Sequence, residues 1–91
     1  MKIYKWNKIK SETLQRERGI SFENIVSHIN AGHLVDIIEH PDKKKYPNQK
    51  IFIININNYI YMVPFVENDN GIFLKTIIPS RKLTKIYLKE E

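Results

Sequence analysis

The spacing of apolar residues predicts two helices near the start of the chain. Residues 8–18 are polar and helix-forming with only a thin apolar stripe, so they predict a largely exposed helix, and Gly19 can close it in the left-handed conformation. Ser21 is placed to cap a second helix, whose apolar residues recur at the spacing of one helix face. These apolar residues are Phe22, Ile25, Val26 and Ile29.

Runs of β-branched and aromatic residues predict five strands, at 2–6, 34–39, 49–56, 59–66 and 72–78. The prolines and lysines of 40–48 indicate an exposed loop, and Asn57-Asn58 indicates a two-residue turn with positive φ. Ser80 is placed to cap a final helix with an apolar side formed by Leu83, Ile86 and Tyr87. The order β-α-α-β-β-β-β-α predicts an α+β domain, an antiparallel sheet with its helices on one face.

The 57–58 turn fixes which residues of the two central strands share a side of the sheet. One side carries Lys50 beside an apolar row, and the opposite side suits burial against the helices. If Val66 faces Ile72 across the next turn, Lys75 joins Lys50 on the same side. A slip of one residue in that turn would move Lys75 to the other face, because side chains alternate along a strand.

Length and composition restrict the class of protein. Ninety-one residues predict a single domain spanning 1–91. Cysteine is absent, which excludes disulfides, thiolate nucleophiles, Cys-zinc sites and iron–sulfur clusters. No apolar run is long enough to span a membrane, and the first ten residues lack the apolar stretch of a signal peptide, so we expect a cytoplasmic protein without membrane contact.

The candidate chemistry excludes several kinds of enzyme. His28, His33 and His40 do not have the spacing of a metal-binding motif, and we expect neither a metal nor another cofactor. The chain also lacks a glycine-rich phosphate loop, a nucleophile elbow and a pair of carboxylates suited to hydrolysis. These absences leave the basic and aromatic residues as the candidates for function.

The chain has twelve lysines, three arginines and a net charge of +5. This charge favours an anionic partner, and the alternative is a lysine-rich surface that is only solvated. A lysine run at 43–45 precedes Tyr46 and leads to Lys50. Further along the chain, more cations could hold a phosphate backbone. The predicted RNA-binding residues are Lys43, Lys44, Lys45, Lys75, Lys82 and Lys85. The alternatives are a solvated loop for the lysine run and a surface ion pair for Arg81.

RNA carries its own nucleophile, the 2′-hydroxyl, so a ribonuclease needs only to align it, move protons and stabilise charge on the phosphate. Lys50 and Arg81 are the candidates for that stabilisation, since cations supply it without a metal. Tyr46 and His40 are the candidates for the general acid or base. Together these four residues are the predicted catalytic set.

Three segments resemble the BrnT family of bacterial toxins and occur in that family's order: YKWNKIK at 4–10, RGISFE at 18–23 and IIPSRK at 77–82. The family has an aromatic-x-Trp-Asp/Asn-x-x-Lys opening, a basic-x-Gly-Ile/Val-x-Phe-Glu segment and a strand ending in Ser-Ala-Arg-Lys. Pro79-Ser80 replaces the family's Ser-Ala, so a role for its first serine does not carry over. Glu17-Arg18 replaces the usual Lys-His.

The resemblance implies a RelE-like fold and a toxin of a type II toxin–antitoxin system that cleaves RNA and inhibits translation. It implies a cognate ribbon-helix-helix antitoxin of the BrnA or CopG kind, with operator DNA bound only through that antitoxin. Arg81 and Lys82 match the family motif and inherit an RNA-contacting role, whereas Lys50 corresponds more loosely. Two alternatives stay open: a non-catalytic interaction module acting in operon repression, and a general binder of single-stranded nucleic acid.

Overall fold

The computed structural model describes residues 3–88, which form three helices and a mixed six-stranded sheet, and this confirms the α+β class. None of the helices in this range is long and apolar enough to cross a membrane. The elements are β1 (Tyr4–Trp6), α1 (Lys8–Arg18), α2 (Phe22–Asn30), β2 (Leu34–Glu39), β3 (Gln49–Ile56), β4 (Tyr59–Asn68), β5 (Gly71–Leu74), β6 (Ile78–Pro79) and α3 (Arg81–Tyr87). Position 2 of the predicted first strand lies outside the described residues.

The two N-terminal helices begin and end where the sequence predicts. Gly19 closes α1 with φ of 73°, and the Ser21 side chain caps α2 in a reciprocal capping box with Asn24. The buried Ser11 of α1 joins the two helices, because its hydroxyl accepts from the Phe22 N–H and donates to Glu23 (3.0 Å each). Hydrogen bonds from the Glu23 backbone and from Ser11 lower the pKa of the Glu23 carboxyl.

The β3–β4 hairpin confirms the predicted register, with Ile56 opposite Tyr59 and Lys50 opposite Phe65. Asn57 and Asn58 have φ of 53° and 65°. Two consecutive residues with positive φ make the primed turn whose twist matches that of paired strands. The local sequence therefore determines this hairpin.

The predicted register of the next hairpin is wrong by one residue, because Ile72 pairs with Glu67 and not with Val66. Lys75 consequently lies opposite Pro64, on the face of the sheet away from Lys50, and its N–H donates to the Pro64 carbonyl (2.8 Å). Proline has no N–H to return the second hydrogen bond of this pair. The ladder is interrupted at this point.

The strand predicted over 72–78 is consequently divided into β5 and β6. Pairing with β4 resumes at Ile78 opposite Met62, so two residues, Thr76 and Ile77, face the single residue Val63. This arrangement is a β-bulge. The bulge returns Ile77 to the fully buried core.

The sheet has the strand order β1-β5-β4-β3-β2, with β6 also paired to β4. β1 runs parallel to β5, so the predicted purely antiparallel sheet is wrong. The parallel pairing is possible because α1, α2 and three strands separate β1 from β5 in the chain, which provides a long crossover.

The helices cover both faces of the sheet, which corrects the prediction that they lie on one. Phe52 and Ile54 pack with the buried residues of α1 and α2, and we name this side the α1/α2 face. Ile53 and Ile60 pack with Leu83 and Tyr87 of α3, and we name this side the α3 face. The predicted apolar side of α3 is correct for these two residues, but Ile86 is 53% exposed.

The C-terminal end of α3 is attached to the outermost strand, β2. The Tyr87 hydroxyl donates to Asp36 Oδ2 (3.0 Å), while Asp36 Oδ1 accepts from the Ile37 N–H (2.8 Å). The hydrogen bond to Asp36 raises the pKa of Tyr87 above its ordinary value, with burial and the carboxylate charge adding to the effect. The carboxylate therefore links the edge of the sheet to the helix that covers it.

Alkaline pH is expected to loosen this attachment. Because the pKa of Tyr87 is raised in the folded state, its stabilising contribution is complete below the pKa of about 10 of an unfolded tyrosine and is lost as pH rises through the folded value. Denaturant unfolding measured from about pH 9 to about pH 11.5 checks this. Tyr87→Phe should lose less stability than the wild type over that interval, and equal losses would contradict the assignment.

Candidate nucleic-acid interface

The loop between β2 and β3, residues 40–48, is tied at its base and has internal hydrogen bonds. The His40 N–H donates to the Gln49 carbonyl (3.1 Å), and the Gln49 N–H donates to the Tyr46 carbonyl (3.3 Å). Within the loop, the Asp42 carbonyl accepts from the Tyr46 N–H (2.9 Å), and its side chain accepts from the Lys45 N–H (3.2 Å). Asp42 thus sets the turn that projects the lysine run into solvent.

The turn brings the rings of two of the predicted catalytic residues into contact. The rings of His40 and Tyr46 are 4.4 Å apart between centroids and inclined by 37°, and both residues are half-buried. His40 Nδ1 accepts from the Asp42 N–H (3.1 Å), so in the neutral ring the proton is on Nε2. His40 therefore presents an N–H donor, and Tyr46 presents a phenol hydroxyl, at the same site.

Three lysines belong to the same loop as this aromatic pair, and one of them contacts it. Lys45 Nζ is 5.4 Å from the centre of the Tyr46 ring, in the range of a cation–π contact. Lys43 Nζ is 3.1 Å from Glu39, but both side chains are about two-thirds exposed, so the ion pair is weak and the lysine can exchange it for a phosphate. Lys44 is exposed. We name His40, Lys43, Lys44, Lys45 and Tyr46 the loop cluster.

Lys50 is exposed near the base of the loop cluster, opposite Phe65 of β4 and Glu39 of β2. It lines a groove of about 1040 Å³ between the start of β3 and the turn that joins β4 to β5. Among the described lining residues Lys50 is the single cation, whereas Glu39, Glu67 and Asp69 are acidic. The groove itself therefore does not favour a phosphate, and the candidate surface for an anion is the adjoining loop.

Arg81 lies far from Lys50. It is the first residue of α3, next to Ser80, whose N–H donates to the Ile60 carbonyl (2.9 Å). Ile60 is five residues along β4 from Phe65, the partner of Lys50, which is about 17 Å of strand. Lys50 and Arg81 also belong to opposite faces of the sheet, so the structure does not bring them together around one phosphate.

The remaining predicted RNA-binding cations belong to the α3 side of the sheet. Lys75 is placed there by the register shift, with its Nζ 5.4 Å from the centre of the Phe73 ring. Lys82 and Lys85 are exposed on α3. The structure therefore divides the ten predicted site residues into two groups: the loop cluster with Lys50 at one end of the sheet, and Arg81 with these three lysines elsewhere.

Two contacts between ring side chains were not predicted from the sequence. One is the contact of His40 with Tyr46, for which the available signal was a turn-forming Asp42 between two rings six residues apart. The other is a hydrogen bond between the rings of His28 and His33, which flank the end of α2. Within residues 3–88, no group of three or more His, Cys, Asp or Glu side chains is arranged to hold a metal ion.

Comparison with protein-family models gives no match, and neither curated proteins nor solved structures match the chain significantly.

Proposed function

We propose that the protein is a metal-independent endoribonuclease whose site is the loop cluster. The observation that carries this proposal is the contact between the His40 and Tyr46 rings, with Lys45 over the Tyr46 ring, in an exposed loop that also carries Lys43 and Lys44. The lysines supply charge for an RNA backbone, and the rings offer a surface on which an unpaired base can stack. The two polar ring groups supply a donor and an acid beside the bound phosphate.

The chemistry uses the RNA's own hydroxyl. The 2′-oxygen attacks the adjacent phosphorus while its proton passes to water, and the bond from phosphorus to the 5′-oxygen breaks. Tyr46 gives its phenol proton to that 5′-oxygen and is reprotonated by solvent. His40 Nε2–H donates to a non-bridging phosphate oxygen, since its Nδ1 is already an acceptor for the Asp42 N–H. The products are a 2′,3′-cyclic phosphate and a 5′-hydroxyl.

The resemblance to the BrnT family extends this proposal from the reaction to the role of the protein in the cell. The protein would be a RelE-like, cytoplasmic toxin that inhibits translation and is neutralised by a ribbon-helix-helix antitoxin. Arg81 and Lys82 would contact RNA or antitoxin away from the cutting site, because they lie at the far end of the sheet from the loop cluster. An antitoxin that covered the loop cluster would compete with RNA for it.

The test uses substitutions that remove one hydroxyl each. Tyr46→Phe keeps the ring but is expected to reduce RNA cleavage by about a hundredfold or more, the usual effect of a lost general acid. Tyr59→Phe is the matched control and should cleave RNA normally. Tyr59 is also half-buried, but it begins β4, at the end of that strand away from the loop cluster. Growth after induction and mapping of RNA ends report on activity, and a chelator should not abolish it. Cleavage by Tyr46→Phe at the wild-type rate would refute the site.

The separation of Lys50 from Arg81 favours a second candidate, a non-catalytic interaction module acting in operon repression. Two cations that do not flank one phosphate are compatible with two independent binding surfaces. In this case expression of the wild-type protein would leave growth and RNA ends unchanged. The same experiment therefore decides between enzyme and module.

A further inference from the structure

Two histidines converge at the end of α2, opposite the loop cluster along the sheet. Ala31 ends the helix, and Gly32 takes φ of 89°, which reverses the chain. The His33 N–H then donates to the His28 carbonyl (2.9 Å), and the His33 carbonyl accepts from the Asn55 N–H (3.0 Å). Both hydrogen bonds fix the backbone of His33 against α2 and β3.

This backbone arrangement brings the two rings together. The Nδ1 atoms of His28 and His33 are 2.8 Å apart, with ring centroids separated by 5.1 Å. In the neutral pair one Nδ1 carries the hydrogen and the other accepts it, and transfer of that hydrogen to Nε2 of its own ring leaves a lone pair on both Nδ1 atoms. A metal ion that prefers imidazole nitrogen can take the place of that proton.

The spacing indicates which metals fit. With metal–nitrogen bonds of about 2.05 Å, two nitrogens 2.8 Å apart subtend about 86° at the metal. That angle is close to the right angle between neighbouring ligands of square-planar or octahedral ions. A tetrahedral ion such as zinc would need the nitrogens about 3.3 Å apart, so the rings would have to separate.

We propose that His28 and His33 form a bidentate site for copper(II) or nickel(II), with water completing the coordination. His33 is exposed and His28 half-buried, so the metal approaches from solvent without unfolding α2. No third His, Asp or Glu among residues 3–88 joins the pair, which makes water the remaining ligand. The site is independent of the proposed ribonuclease function, since the loop cluster lies at the other end of the sheet.

In the test, the untagged protein is titrated with copper(II) chloride. Calorimetry measures the binding, and electron paramagnetic resonance reports the ligands of the copper. One copper ion per chain with two nitrogen ligands is expected. His28→Ala and His33→Ala should each weaken binding by about tenfold or more, because each removes one of the two imidazoles. Binding should also weaken in acid, since protons compete for the same nitrogens.

His40→Ala is the matched control, and it should bind copper as the wild type does. Equal affinity of the wild type and both histidine variants would overturn the site. One copper ion per two chains would overturn the water-completed site in favour of ligands from a second copy. Circular dichroism of each variant confirms that α2 is retained, so a loss of binding is separated from a loss of folding.

Discussion

Replacing Lys43, Lys44 and Lys45 together with glutamine is expected to weaken binding of single-stranded RNA by roughly a hundredfold at about 50 mM salt. Each lysine that contacts a phosphate releases a counterion, so three contacts contribute about 2 to the slope of log affinity against log salt concentration. The triple variant should lose that part of the slope. Fluorescence anisotropy of a labelled oligonucleotide over a salt series measures both quantities.

A matched variant separates local contact from overall charge. Lys8, Lys10 and Arg16 are exposed on α1, and changing them to glutamine lowers the net charge by the same three units. We expect this variant to bind RNA nearly as well as the wild type, with a similar salt slope. If both triple variants lose affinity equally, net charge accounts for binding and the loop cluster is not the site.

Gly71→Ala is expected to lower the free energy of unfolding by about 2–4 kcal/mol. Gly71 opens β5 with φ of 133°, which side chains of L-residues rarely adopt. A Cβ at this position would also overlap the Ile3 carbonyl oxygen, the acceptor of the Ile72 N–H (2.9 Å). The substitution should therefore separate β1 from β5 as well as strain the backbone.

Gly19→Ala separates the cost of backbone strain at positive φ from the cost of a steric overlap with another strand. Gly19 also has positive φ, 73°, but no atom of a residue outside its immediate chain neighbourhood lies within 4 Å of the position its Cβ would take. We expect a loss of about 1 kcal/mol from the left-handed conformation alone. Urea unfolding of both variants measures the difference, and equal losses would show that the approach of β1 to Gly71 contributes nothing.

Local signals predicted most of the secondary structure. The caps at Gly19 and Ser21 and the turn at Asn57-Asn58 act within a few residues, so their effects can be derived from sequence. The end of β5 could not be derived in the same way. It depends on Pro64 being opposite Lys75, a contact between residues of different strands.

The placement of the helices and of β1 was also beyond local reasoning. Both sides of the central hairpin are apolar, so the pattern of Ile51 to Ile54 does not tell which side receives which helix. The parallel pairing of β1 with β5 joins residues almost seventy positions apart. Its signal in the sequence is only a short alternation of three residues.

The candidate site was predicted in part. His40 and Tyr46 are close in sequence, and their rings are in contact in the structure. Lys50 and Arg81 were grouped by their charge and by the family resemblance, and their separation along β4 depends on the sheet topology. Chemical type identified candidate cations, while the fold decides which of them can act on the same phosphate.

The carboxylate of Asp36 also bears on how copies of this chain meet one another. The carboxylate accepts a hydrogen bond from the Ile37 N–H. That N–H is therefore not available to an incoming strand that would extend the sheet beyond β2. The neighbouring side chains of Val35 and Ile37 are both more than 40% exposed, so this edge strand also offers an apolar surface to another strand. One acidic residue thus removes a hydrogen-bond donor that this exposed edge would otherwise offer to a strand of another molecule.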